Sequence, residues 1–292
     1  MQIQSSLVLR AVLGLLIVTP PIAAAQDAAE ESSATGTTNG WKLRAEPAVW
    51  FLGPGGSLRL PTFAPASTIP ANSEDKFELT DLKIDTPEAS PFAEVHLSRG
   101  DWRLTLRGVS MSGEEDFESA SNGNVGDFSY FSGDSIRVDF DYAQFEGEVG
   151  YLLKNAALEP IEAGHKLHSK LELVGGVRVY SMEWNVTNLD AGSRAAADQL
   201  FYEPYAGAKI GLEFYERFDA DLQVVLGAMP AGDTSTMSVD VIVGGAYRFN
   251  EHLGFQVGYR LTGFDLENDD ANDPFDWTGS VAGLYIGAVL EF

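Results

Sequence analysis

Glu94, His96 and Ser98 occupy alternate positions in the segment PFAEVHLS. Side chains alternate across an extended strand, so all three point the same way. A histidine between a carboxylate and a hydroxyl is the set that an acyl hydrolase uses. The acid orients the imidazole, and the imidazole takes the serine proton. Two other groups offer metal ligands. His165 and His168 are spaced like a pair of zinc ligands, without an evident third partner. The segment DLENDDANDPFD carries Asp265, Glu267, Asp269, Asp270 and Asp273, and GEEDFE at 113–118 adds further carboxylates. Such oxygen sets suit hard divalent ions. The spacing with a central glycine that marks a calcium loop is missing, so solvated acidic loops are the plainer expectation.

What these residues can do depends on the elements that hold them. The chain has 292 residues, 43 acidic against 19 basic side chains, four histidines and no cysteine, for a net charge of -24. Such charge disfavours nucleic acid, whose phosphates need a basic surface. The lack of cysteine excludes disulfides, thiolate metal sites and a cysteine nucleophile. Arg10, the apolar run 11–18 and Ala23-Ala24-Ala25 read as a secretory signal peptide over 1–25. Residues 26–40, rich in Ala, Glu, Ser, Thr and Gly, read as a flexible leader. From 41 onward no apolar run is long enough for a membrane helix.

Hydrophobic residues nonetheless make up 45% of the chain, and they alternate. In WKLRAEPAVWF, Leu43, Ala45, Val49 and Phe51 oppose Lys42, Arg44 and Glu46; KLHSKLELVGGVRVY, YEPYAGAKIGLEF, ADLQVVLGA, VDVIVGGAYRF and LGFQVGYRL repeat the pattern. About ten strands of roughly nine to eleven residues result, the length of a tilted bilayer-crossing strand. Between 136 and 151 the apolar phase slips near Tyr142 and Ala143, which a bulge would explain. Pro47 and Pro204 fall inside strand runs, where each removes a ladder donor, so a bulge or strand end is expected there. Trp41, Trp50, Trp102, Tyr151, Phe214, Phe218, Phe249 and Phe292 lie near strand ends, as girdle aromatics do. Short turns at 99–101, 215–217 and 250–252, with a longer one at 154–166, face long polar connections at 53–90, 112–134, 183–199 and 263–277. A soluble barrel or sandwich would show the same alternation with inside and outside exchanged.

Residues 41–292 resemble a bacterial outer-membrane β-barrel protein. The terminal YIGAVLEF resembles the signal read by the barrel-assembly machinery, with Ile286, Ala288, Leu290 and Phe292 in the recognised positions. The resemblance implies an all-β, closed, antiparallel, up-and-down transmembrane barrel of about ten strands, with eight or twelve as alternatives. It further implies export by the general secretory route, a monomer amid outer-membrane lipid and lipopolysaccharide, and long loops outside the cell, where divalent cations could bind. The Glu94, His96 and Ser98 set also resembles the triad of outer-membrane lipid A deacylases. Here it lies beside a short turn and faces the lumen, so a polar ladder is expected in its place. Outer-membrane proteases pair Asp with His two residues apart, and no Asp-x-His occurs. Inward charges of both signs, including Arg44, Arg107, Arg178 and Arg260 against Glu46, Glu94, Glu146 and Asp240, are expected to pair into a network that fills the lumen. The expected role is non-enzymatic and cofactor-free: structural, surface-interacting or narrowly permeable. A cation-preferring porin-like channel and a deacylase-like hydrolase are the alternatives.

Overall fold

The alternation that begins at Trp41 folds as a succession of antiparallel hairpins. A computed structural model describes residues 40–61, 76–126, 128–157, 167–215, 217–270 and 274–292. The signal-peptide and leader expectations, His165 and Asp273 therefore lie outside the described residues. The strands are β1 (Lys42–Arg59), β2 (Phe77–Glu78), β3 (Glu88–Arg99), β4 (Trp102–Glu118), β5 (Gly123–Val125), β6 (Phe128–Tyr130) and β7 (Ser135–Ala157). They continue as β8 (His168–Asn188), β9 (Ser193–Phe214), β10 (Phe218–Ala231), β11 (Thr234–Arg248), β12 (Leu253–Asn268) and β13 (Phe275–Glu291). The ten long strands pair in chain order, and β13 closes on β1 through the register Val49↔Ile286. Closure removes the sheet edge around the ring, except beyond Tyr205↔Gly227, where the β9–β10 rungs stop. β2 is appended to β1, and β5 and β6 form a separate hairpin in the connection before β7.

Strands of 12 to 23 residues replace the shorter ones expected. The extra length lies at the end of the barrel away from Lys42 and Phe292, where β4, β7, β8 and β9 run on through 112–118, 135–141, 183–188 and 193–199. The long connection expected at 183–199 thus shrinks to 189–192. These stretches also alternate, but with the chemistry inverted. Ile136, Val138, Phe140 and Tyr142 are buried inside, while Asp139 and Asp141 face out. Below Tyr142 the inward positions are Gln144, Glu146 and Glu148, and Phe145, Val149 and Tyr151 are exposed outside.

No bulge is needed at Tyr142. The ladders of β7 with β4 and β8 run unbroken through Met111↔Tyr142 and Tyr142↔Met182, and the register shift falls between Leu152 and Lys154. The backbone phase is constant; what changes is which face is apolar. The same inversion occurs on β8, from Leu173 and Val177 outside to Met182, Trp184 and Val186 inside. It recurs on β12, from Val257 and Leu261 outside to Phe264 and Leu266 inside.

Pro47 sits opposite Ala93 in an unbroken register, so it needs no bulge. Pro204 does mark an ending. It pairs with Val177 on β8, but the ladder from β9 to β10 stops one residue earlier, at Tyr205↔Gly227. Trp50 is also corrected. It lies inside, fully buried against Phe92, because position 50 shares the inward phase of Glu46.

Outside, an apolar belt circles the part nearer Lys42 and Phe292: Phe51, Leu104, Val149, Leu173, Ile210, Val224, Val243, Val257 and Ile286 are all exposed. Along β12 the belt runs from Leu253 to Leu261, eight rises of about 3.3 Å. At the tilt usual for barrels this projects to ~20 Å plus side chains, close to the ~25 Å apolar band of a transmembrane barrel. Trp102 and Tyr151 meet at its lower rim with tilted rings, 4.8 Å between centroids, and Arg99 covers Trp41 at 5.3 Å.

Candidate functional site

The inside of the barrel carries the chemistry, in three layers. The upper layer is aromatic. Phe140 and Trp184 lie 4.0 Å apart, Trp277 packs on Phe264 at 4.6 Å, and Trp184 meets Trp277 edge-on at 5.6 Å. These side chains come from β7, β8, β12 and β13, so they meet across the full width of the lumen. Trp50, Trp184 and Trp277 are each 0% exposed.

The middle layer is ionic, and strand register builds it. Glu46, Glu94, Arg107, Glu146, Arg178 and Glu203 stand directly opposite one another in turn on β1, β3, β4, β7, β8 and β9. From Glu94 onward the row alternates in sign. Arg107 donates to Glu94 and Glu146, each at 2.6 Å. Arg178 donates to Glu146 at 2.9 Å and to Asp240 at 2.6 Å, reaching across from β8 to β11. Arg260, from β12, also bonds Glu146 and Asp240. Ser238 donates to Glu203 at 2.5 Å, and Gln223 to Glu148 at 2.6 Å. Buried charges demand this degree of pairing, because each would otherwise forfeit its hydration. Small residues make room for it. A methyl at Gly227 would overlap the Glu203 carboxylate, and one at Gly258 would overlap the Tyr285 ring.

The lowest layer is a vestibule of about 770 Å³ at the end that carries Lys42 and Phe292. Its rim includes Asp101, His252 and Phe292, and its depth is lined by Glu46, Glu94, His96 and Arg107. Above it stand the ionic and aromatic layers.

Glu94, His96 and Ser98 all line this vestibule, as the alternation requires. They do not form a relay to serine. Nδ1 of His96 faces Thr105 Oγ1 at 2.9 Å, and Nε2 faces Glu94 at 3.4 Å and Glu46 at 3.7 Å. Both ring nitrogens are thus directed away from Ser98, and Glu94 is engaged by Arg107. The partners missed from sequence are Glu46 and Thr105, because only the registers Glu46↔Glu94 and His96↔Thr105 bring them alongside.

The acidic candidates of β12 do not gather. The Asp265 carboxylate accepts from Thr278 at 2.9 Å, Glu267 from Ser235 at 3.4 Å, and Asp269 faces Arg59 at 3.8 Å. Asp270 lies beyond the strand end with its amide donated to Asn268. Among the described residues, the group of three whose ligand atoms converge within 4.8 Å is Glu46, Glu94 and His96. At the chain end, Ile286 and Phe292 are exposed on the outer face that also holds Ala288 and Leu290.

The sequence matches no protein-family model and none of the curated proteins compared. Among solved structures it is similar to Neisserial surface protein A at 10% identity, over 86% of this chain and 97% of that one, with a TM-score of 0.31. It is similar to the outer membrane protease OmpT from Escherichia coli at 9% identity, over 89% and 99% of the two chains, with a TM-score of 0.38. The toluene transporter TodX of P. putida is similar at 12% identity, over 87% and 90%, with a TM-score of 0.23. At this level of likeness, function has to be read from the chain's own geometry.

Proposed function

We propose that the chain is an integral outer-membrane β-barrel with a sealed lumen, acting as a structural or surface-interacting protein without enzymatic activity. The observation that carries this is the inversion of apolar and polar faces at the level of Tyr142. Below it the outer wall is apolar and suits lipid, and ring closure pairs nearly all of the backbone at that level, which lipid demands. Above it the outer wall is charged and the inside is an aromatic core, as in a soluble barrel. That half stands in water among the head groups and sugars of lipopolysaccharide. The longer connections share its side and face outward, and the exposed Phe292 suits recognition by an assembly machinery.

Conductance in a planar bilayer tests the seal. Folded, inserted protein should pass no discrete current steps at any salt gradient. Stable cation-preferring steps would overturn it in favour of a narrow channel. That second reading has one observation behind it, the vestibule that penetrates as far as Arg107. The hydrolase alternative predicts that Ser98→Ala abolishes an activity on lipid or peptide; no change in any such assay is expected here.

A further inference from the structure

We propose that Glu46, Glu94 and His96 form a zinc-binding site at the head of the vestibule. Nε2 of His96 lies 3.4 Å from Oε2 of Glu94 and 3.7 Å from Oε2 of Glu46. In a tetrahedral zinc site with bonds of about 2.0–2.2 Å, ligand atoms stand ~3.3–3.6 Å apart. His96 thus stands at about that spacing from each carboxylate, and all three ligand atoms lie within 4.8 Å of one another. Closing them to a tetrahedral face needs only side-chain rotation, with a water molecule from the vestibule as the fourth ligand.

Each ligand is held from behind by a separate partner. Arg44 bonds Oε1 of Glu46, and Arg107 forks over Glu94, donating to Oε1 at 2.6 Å and more weakly to Oε2 at 3.3 Å, a bond the metal would replace. Thr105 Oγ1 faces Nδ1 of His96 at 2.9 Å and also accepts from Arg103 at 2.9 Å. A hydroxyl oxygen has two lone pairs, so it can take Nδ1–H as well, the tautomer that leaves a lone pair on Nε2. Groups behind the ligands that fix ring and carboxylate orientation are a property of functioning metal sites.

Charge argues in the same direction. Glu46 and Glu94 are directly opposed on neighbouring strands, a like-charge pairing that is destabilising by itself. Their arginines are shared, Arg44 with Asp219 and Glu291 and Arg107 with Glu146. A divalent ion between the carboxylates relieves the repulsion, and one imidazole with two carboxylates favours zinc over magnesium or calcium. Binding displaces any proton from Nε2.

The test is isothermal titration of zinc chloride into the full chain refolded in detergent micelles, with magnesium chloride as control. One saturable zinc site is expected and no magnesium heat. His96→Gln and Glu46→Gln should each weaken zinc at least tenfold. Absence of saturable zinc binding overturns the proposal. Unchanged affinity in folded His96→Gln also overturns it, since the exposed His252 or another of the four histidines would then be the ligand. Should both variants fail to fold, X-ray absorption of the zinc-loaded wild type decides. One imidazole nitrogen with oxygens supports the site, and two or more imidazoles sink it.

Discussion

Glu146 on β7 and Arg178 on β8 stand directly opposite each other, joined by a 2.9 Å bond at the centre of the barrel. Glu146 is the hub of the ionic layer, since Arg107, Arg178 and Arg260 all converge on it. Removing its charge leaves three guanidinium groups crowded in a buried space. Glu146→Gln should therefore cost about 3–5 kcal/mol, the usual penalty for breaking a buried pair. The exposed pair Asp116 and Arg137, also bonded at 2.7 Å, provides the contrast. Asp116→Asn should cost far less than Glu146→Gln, because water screens an exposed pair. Urea unfolding of lipid-embedded protein measures both, and equal losses would contradict a stabilising role for the layer.

The aromatic layer should behave as a plug. Trp184 and Trp277 are fully buried and meet across the lumen, 5.6 Å between ring centroids. Each change to alanine removes a large packed side chain, at about 3–5 kcal/mol. The pair changed together should also open a void above the ionic layer and admit water. Ion leakage from vesicles is expected for Trp184→Ala with Trp277→Ala combined with Arg260→Met, which removes a crossing member of the layer beneath. Leakage from the wild type would show that the lumen is not sealed, and none from the triple variant would show that the seal lies elsewhere.

Much of this barrel was legible in its sequence, because alternation with period two survives without any knowledge of register. The strand count and the shared polar face of Glu94, His96, Arg178 and Arg260 follow from it, whereas closure and the inward direction of that face came with the resemblance to outer-membrane barrels. The inversion at Tyr142 did not emerge, because a change in which face is apolar looks like an inserted residue when one assumes lipid throughout. The two readings that alternation leaves open, lipid outside or core inside, each hold in one half of the molecule. Trp50 was misplaced for the same reason. The cluster around His96 was only partly visible, because Glu46 and Thr105 reach it through cross-strand pairing. Phase fixes a face, whereas register depends on turn geometry and packing.

On the outer wall above the belt, Asp141, Glu183 and Asp198 stand side by side on β7, β8 and β9, all exposed. Like charges directly opposed across strands destabilise a sheet. Glu183→Lys places a cation between two carboxylates and should raise stability by about 0.5–1 kcal/mol at low salt. Exposed charges are screened within about 10 Å at 0.1 M salt, so the gain should shrink as salt rises. A variant no more stable than wild type in urea at low salt would exclude a repulsive row.

Phe292 separates assembly from stability. Its backbone closes the last rung: its N–H donates to Leu43 at 2.8 Å, and its carbonyl accepts from Leu43 at 3.2 Å. Its side chain is 73% exposed and contributes little to packing. Phe292→Ala keeps both bonds, so the refolded variant should lose less than about 1 kcal/mol, as surface changes do when they remove no buried partner. Deleting Phe292 removes both bonds and should cost more, at about 0.5–1.5 kcal/mol for each. If the terminal aromatic is what the assembly machinery reads, both variants should reach the outer membrane several-fold less abundantly in cells, irrespective of that difference. Cell-envelope fractionation beside in vitro unfolding separates the two effects. Normal abundance of Phe292→Ala in the outer membrane would remove the aromatic ring from any role in assembly and leave only its backbone rung.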